Sequence, residues 1–389
     1  MTNNQFSPWP SFTEEEAEIV QKILLSNKVN YWTGTECREF ENEFANWSDT
    51  KYAVAMSNGT VALDAAFKAL DIKKGDEVIV TSRSYVASIT SIVNSNATPI
   101  FADVDLDNQN ITHKSISPVI SNRTKAILCV HLAGWACGMD EIMDLANKHN
   151  LFVIEDCSQA HGARYKGKSV GSIGDIGCWS FCQDKIMTTG GEGGMVTTNN
   201  KTLWRKMWEY KDHGKSYEAV YERKHSQGFR WLHESFGTNG RMTEIQAGIG
   251  RIQLKRMKDW HTKRLRNATS IWSAAKDCKV LRVPEIPDYI EHGAYKCYVF
   301  VNGSANLRDK IMSLINDKGV PCFSGACSEI YLEKAFNNTG LRPKYRLKNA
   351  KKLGETSLMF LVHPTLTNKE IQKTCEVLRE VSLYNFHDQ

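Results

Sequence analysis

The sequence predicts an α/β protein built on a mostly parallel mixed sheet, with a smaller α+β domain behind it. Three observations carry that expectation. Short apolar, β-branched runs alternate with helical patterns through the first half of the chain, the mark of strands joined by crossover helices. The 389 residues exceed what one compact core usually holds, so two domains are the default. A long helical pattern over 242–273 then separates this half from a second, shorter set of strands and helices.

Taken in order, residues 13–25 read as a helix opened by Thr13 with Glu16 three positions on, a capping box. Residues 36–47 read as a second helix. A strand over 53–56 runs into Ser57-Asn58-Gly59-Thr60 and an alanine-rich helix to about residue 70. Buried strands follow at 77–81, 99–102, 126–130 and 151–154, with helices at 84–95 and 140–149 between them. Residues 194–198 read as a hairpin-like return of the sheet. The stretch 213–241 is polar, weakly periodic and rich in glycine and aromatics, which predicts a functional loop rather than a core element. Past residue 278 come a strand at 298–301, a helix at 307–318 and a closing helix at 368–383. The expected domains are residues 1–255, including the N-terminal helices, and residues 256–389.

Composition narrows the class. Hydrophobic residues make up 41% and charged residues 24%, ordinary for a folded globular chain. The net charge of +5 comes from 49 basic and 44 acidic residues with no long basic block, which argues against nucleic acid. No apolar stretch approaches the length of a membrane span and no secretory leader is visible, so no membrane association and a cytoplasmic location are expected. The eleven cysteines lack paired zinc-ligand spacing and are expected as reduced thiols. Cys129-Val130-His131 stands at a strand end without further ligands, and no metal is expected.

The chemistry converges on three strand ends. Ile154-Glu155-Asp156 ends one buried strand with a carboxylate, Ser180 ends the next, and Lys185 follows before the run Gly190-Gly191-Glu192-Gly193-Gly194. A lysine amine becomes a useful nucleophile when it joins a carbonyl cofactor. Pyridoxal 5'-phosphate (PLP) needs such a lysine, a carboxylate to keep its ring nitrogen protonated, and donors for its phosphate. Asp156 and Ser180 supply the last two. Gly59 and Thr60 open a helix, whose first N–H groups and dipole favour an anion. No G-x-G-x-x-G follows the first strand, which excludes a nicotinamide dehydrogenase.

Several ordered segments resemble the DegT/DnrJ/EryC1/StrS sugar aminotransferase family. They are Tyr31-Trp32-Thr33-Gly34, Ser57-Asn58-Gly59-Thr60, Phe101-Ala102-Asp103-Val104, Glu155-Asp156-Cys157-Ser158-Gln159-Ala160-His161-Gly162, Ser180-Phe181 through Lys185, the glycine run, and Asn239 to Ala247. The likeness covers about the first 250 residues, and beyond them it is loose. It implies a fold-type-I PLP-dependent transferase that works as a homodimer with shared active sites. It implies that Lys185 holds the cofactor and shuttles protons, that Asp156 pairs with the pyridine nitrogen, and that Gln159 touches the ring hydroxyl. It implies further that Gly59, Thr60 and Ser180 bind the phosphate, that Tyr85 stacks on the ring, and that Asn239 reaches the phosphate across the dimer interface. Trp32, His161 and Arg230 are expected at the substrate, through aromatic faces and a carboxylate-pairing cation.

The family's usual donor is glutamate. Two acceptors stay open: a nucleotide-linked ketosugar, and an 8-oxo-3,8-dideoxy-octulosonate. The latter follows from the resemblance of residues 180–189, 211–215 and 228–234 to a branch that makes the 8-amino-3,8-dideoxy acid sugar of lipopolysaccharide. A branch with histidine in place of Lys185 performs dehydration, so lysine favours transamination. The alternatives are a PLP-dependent dehydratase or lyase on the same fold, or a non-catalytic sensor.

Overall fold

The structure, a computed structural model, describes residues 6–384. Seven strands form the main sheet. Their spatial order is Tyr52–Met56, Gly194–Thr198, Ile176–Ser180, Phe152–Asp156, Thr124–Val130, Glu77–Thr81, Thr98–Ala102. The last five in this order pair in parallel. Gly194–Thr198 runs antiparallel to both of its neighbours, which is the expected return. Every residue of Glu77–Thr81 and Ile176–Ser180 is buried, as a sheet covered on both faces requires.

This topology decides where the chemistry lies. Met56, Thr81, Ala102, Val130, Asp156 and Ser180 end their strands at the same edge of the sheet, the side on which α/β proteins bind ligands. The reversed strand starts there, pairing Gly194 with both Met56 and Ser180. A side chain at Gly194 would stand 2.4 Å from the Asn58 carbonyl oxygen, so only glycine lets the phosphate-type turn at Ser57–Thr60 close against the sheet.

The helix Glu14–Leu25 opens with the expected box, Thr13 N–H donating to Glu16 Oε2 at 3.0 Å. The long helix runs Glu244–Lys276. Ala247, Leu254 and Met257 of its first half join the core beneath the main sheet; Ala268, Ile271, Trp272 and Ala275 join a second core. The expected divide between residues 255 and 256 falls within it. The second core lies under a four-stranded antiparallel sheet ordered Leu281–Arg282, Cys297–Val301, Ser357–Phe360, Cys322–Phe323. Helices Ala305–Asp317 and Asn368–Val381 cover it.

Three features differ from the expectation. The stretch 213–241 is not loop throughout: Tyr217–Tyr221 is a short helix whose tyrosines pack on Trp204 and Trp208. The aromatic spacing of that helix is too brief to show a period. Arg164–Tyr165, Lys168–Ser169 and Ile290–Glu291 form a small separate sheet, and Lys348–Thr356 is an additional helix. The eleven cysteines are free thiols, and all but Cys182 and Cys327 are buried. No described helix is long and apolar enough to cross a membrane.

Candidate active site

Asp156 closes its strand 5% exposed. Ser88 Oγ donates to its Oδ2 at 2.8 Å, and the Ser158 N–H donates to Oδ1 at 3.1 Å. No cation pairs with it among the described residues, an expensive state for a buried carboxylate. Gln159 accepts the Ala133 N–H at 3.0 Å, which steadies Ala133 in a left-handed conformation (φ 58°) and leaves the amide's own N–H groups free to donate.

Ser180 ends the neighbouring strand. Its Oγ accepts the Cys182 N–H at 3.3 Å, which leaves its proton for an outside acceptor. A Cβ on Gly59 would lie 2.6 Å from Ser180 Cβ, so the two segments meet only because residue 59 is glycine. Asn58 caps the Val61 N–H at 2.9 Å. The Gly59 and Thr60 N–H groups carry no hydrogen bond among the described residues. Two free helix N–H groups, a hydroxyl and a close glycine make a cradle of the right chemistry for a phosphate.

The Lys185 side chain is 14% exposed. Its Nζ lies 3.9 Å from Asp184 Oδ1 and 5.4 Å from the centre of the Tyr295 ring. The Tyr295 hydroxyl donates to Asp184 Oδ2. Tyr295 reaches this place because its N–H donates to Ala133 O at 3.0 Å and Gly293 N–H donates to Gly134 O at 2.7 Å, pinning this segment onto the strand ends. His161 is wedged between Trp179 and Phe181, ring centres 5.3 and 5.7 Å away, with neither nitrogen in a hydrogen bond of good geometry. Burial, then the Lys185 and Arg264 cations, push its pKa down to about 3 against a weak pull from the Ser180 backbone, so the ring is neutral.

Tyr85 is 69% exposed at the mouth of this group, and its carbonyl accepts the Ser88 N–H at 3.3 Å. The structure thus gathers Gly59, Thr60, Tyr85, Asp156, Gln159, His161, Ser180 and Lys185 at one sheet edge. It places three other expected residues elsewhere. Trp32 packs at 6.0 Å from Trp208 and 6.5 Å from Tyr221, under Lys215 Nζ at 4.4 Å. Arg230 and Asn239 are exposed on the 222–241 loop, whose Phe229, Trp231 and Phe236 are bare. The next residue after Asn239 does touch the cradle, Gly240 O accepting the Ser57 N–H at 2.8 Å.

His131, Glu155 and Cys157 bring three ligand-type side chains together, but hydrogen bonds already engage the imidazole and the carboxylate. His131 Nε2 donates to Glu155 at 2.9 Å and its Nδ1 accepts the Cys137 N–H; Glu155 also accepts the Gly171, Ile173 and Gly174 N–H groups. The group ties strand ends together. Ser88, Asp184 and Tyr295 escaped the sequence reading. Ser88 sits one helical turn after Tyr85, a signal that was available; Tyr295 lies over 100 positions from Lys185, and nothing local marks it.

The buried, cation-free Asp156 and the Gly59–Ser180 cradle fit the two ends of PLP. Residues 10–379 match the model of the DegT/DnrJ/EryC1/StrS aminotransferase family. The chain belongs to that family; it has the fold-type-I scaffold and is a PLP-dependent aminotransferase. The match continues to residue 379, through the part of the chain where the likeness in the sequence is loose. The chain is 37% identical to GDP-perosamine synthase of Escherichia coli O157:H7 over 380 residues, covering 95% of this chain and 96% of that one. It is 32% identical to UDP-N-acetyl-3-dehydro-alpha-D-glucosamine 3-aminotransferase of Acidithiobacillus ferrooxidans, covering 97% and 99%. Among solved structures, an aminotransferase from Psychrobacter cryohalolentis superposes with TM-score 0.94 at 64% identity, covering 97% and 98% of the two chains. S. venezuelae DesV, solved with a ketimine intermediate, gives 0.87 at 28%, covering 96% and 95%.

Ser88→Ala removes the one hydroxyl among the described residues that donates to Asp156. A hydrogen bond to a charged group contributes about 1.5–3 kcal/mol, so PLP affinity is expected to fall by roughly tenfold or more. Absorbance titration of the cofactor-free variant reads this; an unchanged dissociation constant would remove Ser88 from the site.

Proposed function

We propose that this chain transfers an amino group from glutamate to a carbonyl carbon of a sugar, with PLP tethered to Lys185. The observation that carries the reading is the placing of a buried, cation-free carboxylate, a phosphate cradle and a half-buried lysine along one sheet edge, after the strands Phe152–Asp156, Tyr52–Met56 and Ile176–Ser180. When bound, PLP supplies the electron sink for breaking a bond at the donor's α-carbon. The rest falls to the chain. Asp156 holds the ring nitrogen protonated, Gln159 donates to the ring hydroxyl, Tyr85 covers one ring face, and Gly59, Thr60 and Ser180 hold the phosphate. Lys185 Nζ carries the proton to and from the reacting carbon. Neutral His161 adds no charge beside it. Asn239, Trp32 and Arg230 complete the site across a homodimer, where the bare aromatics of the 222–241 loop would be covered.

A nucleotide-linked ketosugar is the favoured acceptor, because two of the relatives named above are named for GDP- and UDP-linked sugars. Lysine rather than histidine at 185 favours transamination over dehydration.

Purified protein is expected to be yellow and to change its absorption spectrum on addition of glutamate. Amino sugars with and without a nucleotide, offered with 2-oxoglutarate, then identify the acceptor by the glutamate formed. A holoenzyme whose spectrum ignores glutamate would refute the donor. Turnover of only the free acid sugar would refute the nucleotide-linked acceptor.

A further inference from the structure

Behind the Lys185 loop lies a cavity of about 190 Å³ to which no role has yet been given. Trp9, Asp184, Arg264, Tyr295, Lys296 and His363 form much of its wall. Arg264 is 1% exposed and short of partners. Among the described residues its Nη1 makes only a 3.5 Å contact to the Tyr295 carbonyl, its guanidinium lies 4.8 Å over the Trp9 ring, and Nε and Nη2 have no hydrogen-bond partner. A buried arginine without a carboxylate is an incomplete arrangement.

Its surroundings agree. Lys296 is a second cation on the wall. Burial pushes its pKa down to about 8, Asp184 pulling it back up and Arg264 and Lys185 adding to the fall. Burial likewise brings Arg264 down to about 9, against Tyr295. The carboxylate on the wall, Asp184, is already engaged by the Tyr295 hydroxyl and by Lys185. His363 is held neutral, its pKa pushed to about 3 by burial and then by Arg264 and Lys296. Two cations thus face one committed carboxylate.

We propose that this cavity is a carboxylate subsite in which Arg264, with Lys296 beside it, receives the distal carboxylate of the dicarboxylate amino donor. The planar guanidinium fork suits a carboxylate. The position suits the far end of the donor. Trp9 Nε1 donates to the Lys185 carbonyl at 2.8 Å, and the Tyr295 ring on the cavity wall stands 5.4 Å from Lys185 Nζ. A donor whose α-amino group is at the lysine has its second carboxylate one short side chain away. The assignment rests on glutamate being the donor.

Calorimetric titration of the PLP holoenzyme with 2-oxoglutarate, and separately with pyruvate, tests it. Pyruvate has the same keto-acid head and no distal carboxylate. Wild type is expected to bind 2-oxoglutarate more tightly. Arg264→Gln and Lys296→Gln are expected to weaken 2-oxoglutarate by about tenfold or more and to leave pyruvate unchanged, with Arg264→Lys between. Lys296 is less buried than Arg264, so its variant serves if Arg264→Gln does not fold. Variants that bind 2-oxoglutarate as wild type does, or that lose both ligands in parallel, overturn the subsite. If wild type still answers glutamate in its spectrum, that result leaves the donor standing. A wild type silent to glutamate whose 2-oxoglutarate binding still depends on Arg264 overturns the donor and keeps the carboxylate site.

Discussion

Lys185→Ala is expected to lower turnover by about 10⁴-fold or more, the upper end of what a positioned acid–base group contributes, because the same amine tethers the cofactor. The loss should be chemical rather than structural. Among the described residues Lys185 makes no side-chain hydrogen bond that holds the fold; its contacts there are the 3.9 Å approach to Asp184 and the face of Tyr295. Asp184 keeps the Tyr295 hydroxyl when the lysine is gone. PLP should still bind, since Asp156, Ser180 and the Gly59 turn do not depend on Lys185, but borohydride should no longer fix it to the chain. Intact-mass measurement after reduction reads the tether directly. The His161 pKa, held at about 3 partly by the Lys185 cation, should rise in the variant, which imidazole NMR can follow. Full turnover, or a reduced adduct at another residue, would show that the amine at 185 is not the one that matters.

Much of this was legible because parallel sheets write themselves plainly. Runs such as Glu77-Val78-Ile79-Val80-Thr81 and Ile176 to Ser180 are buried on both faces, so they stand out as short apolar blocks with polar residues where the chain emerges. Those emergence points form the candidate site, which is why Asp156, Ser180 and the Ser57–Thr60 turn could be picked from the chain. The C-terminal part of the chain was less legible. Its strands Leu281–Arg282 and Cys322–Phe323 are two residues long, too brief for any period. Tyr295, Lys296 and Arg264 reach the lysine only through tertiary contacts such as the Tyr295 N–H to Ala133 O bond, and no local pattern encodes such a meeting. Trp32 is a further case: its ring packs among Tyr31, Trp208 and Tyr221 of its own chain, neighbours that no local pattern announces.

Asp156→Asn separates the carboxylate's charge from its shape. The amide oxygen can still accept from Ser88 or Ser158, so the strand end should keep its geometry. What disappears is the negative partner for a protonated ring nitrogen in a place 5% exposed. Removing one member of a buried pair costs about 3–5 kcal/mol, which corresponds to a loss of roughly 10²- to 10⁴-fold in turnover. The cofactor-free protein should respond in the opposite sense. There the carboxylate has no cation among the described residues, so neutralising it relieves an unpaired buried charge. Thermal unfolding of the cofactor-free variant is therefore expected at the same temperature as wild type or higher, while the stabilisation gained on adding PLP shrinks. A simple structural role for Asp156 would lower both. Turnover within threefold of wild type, with an unaltered spectrum, would mean that the ring nitrogen finds its partner elsewhere.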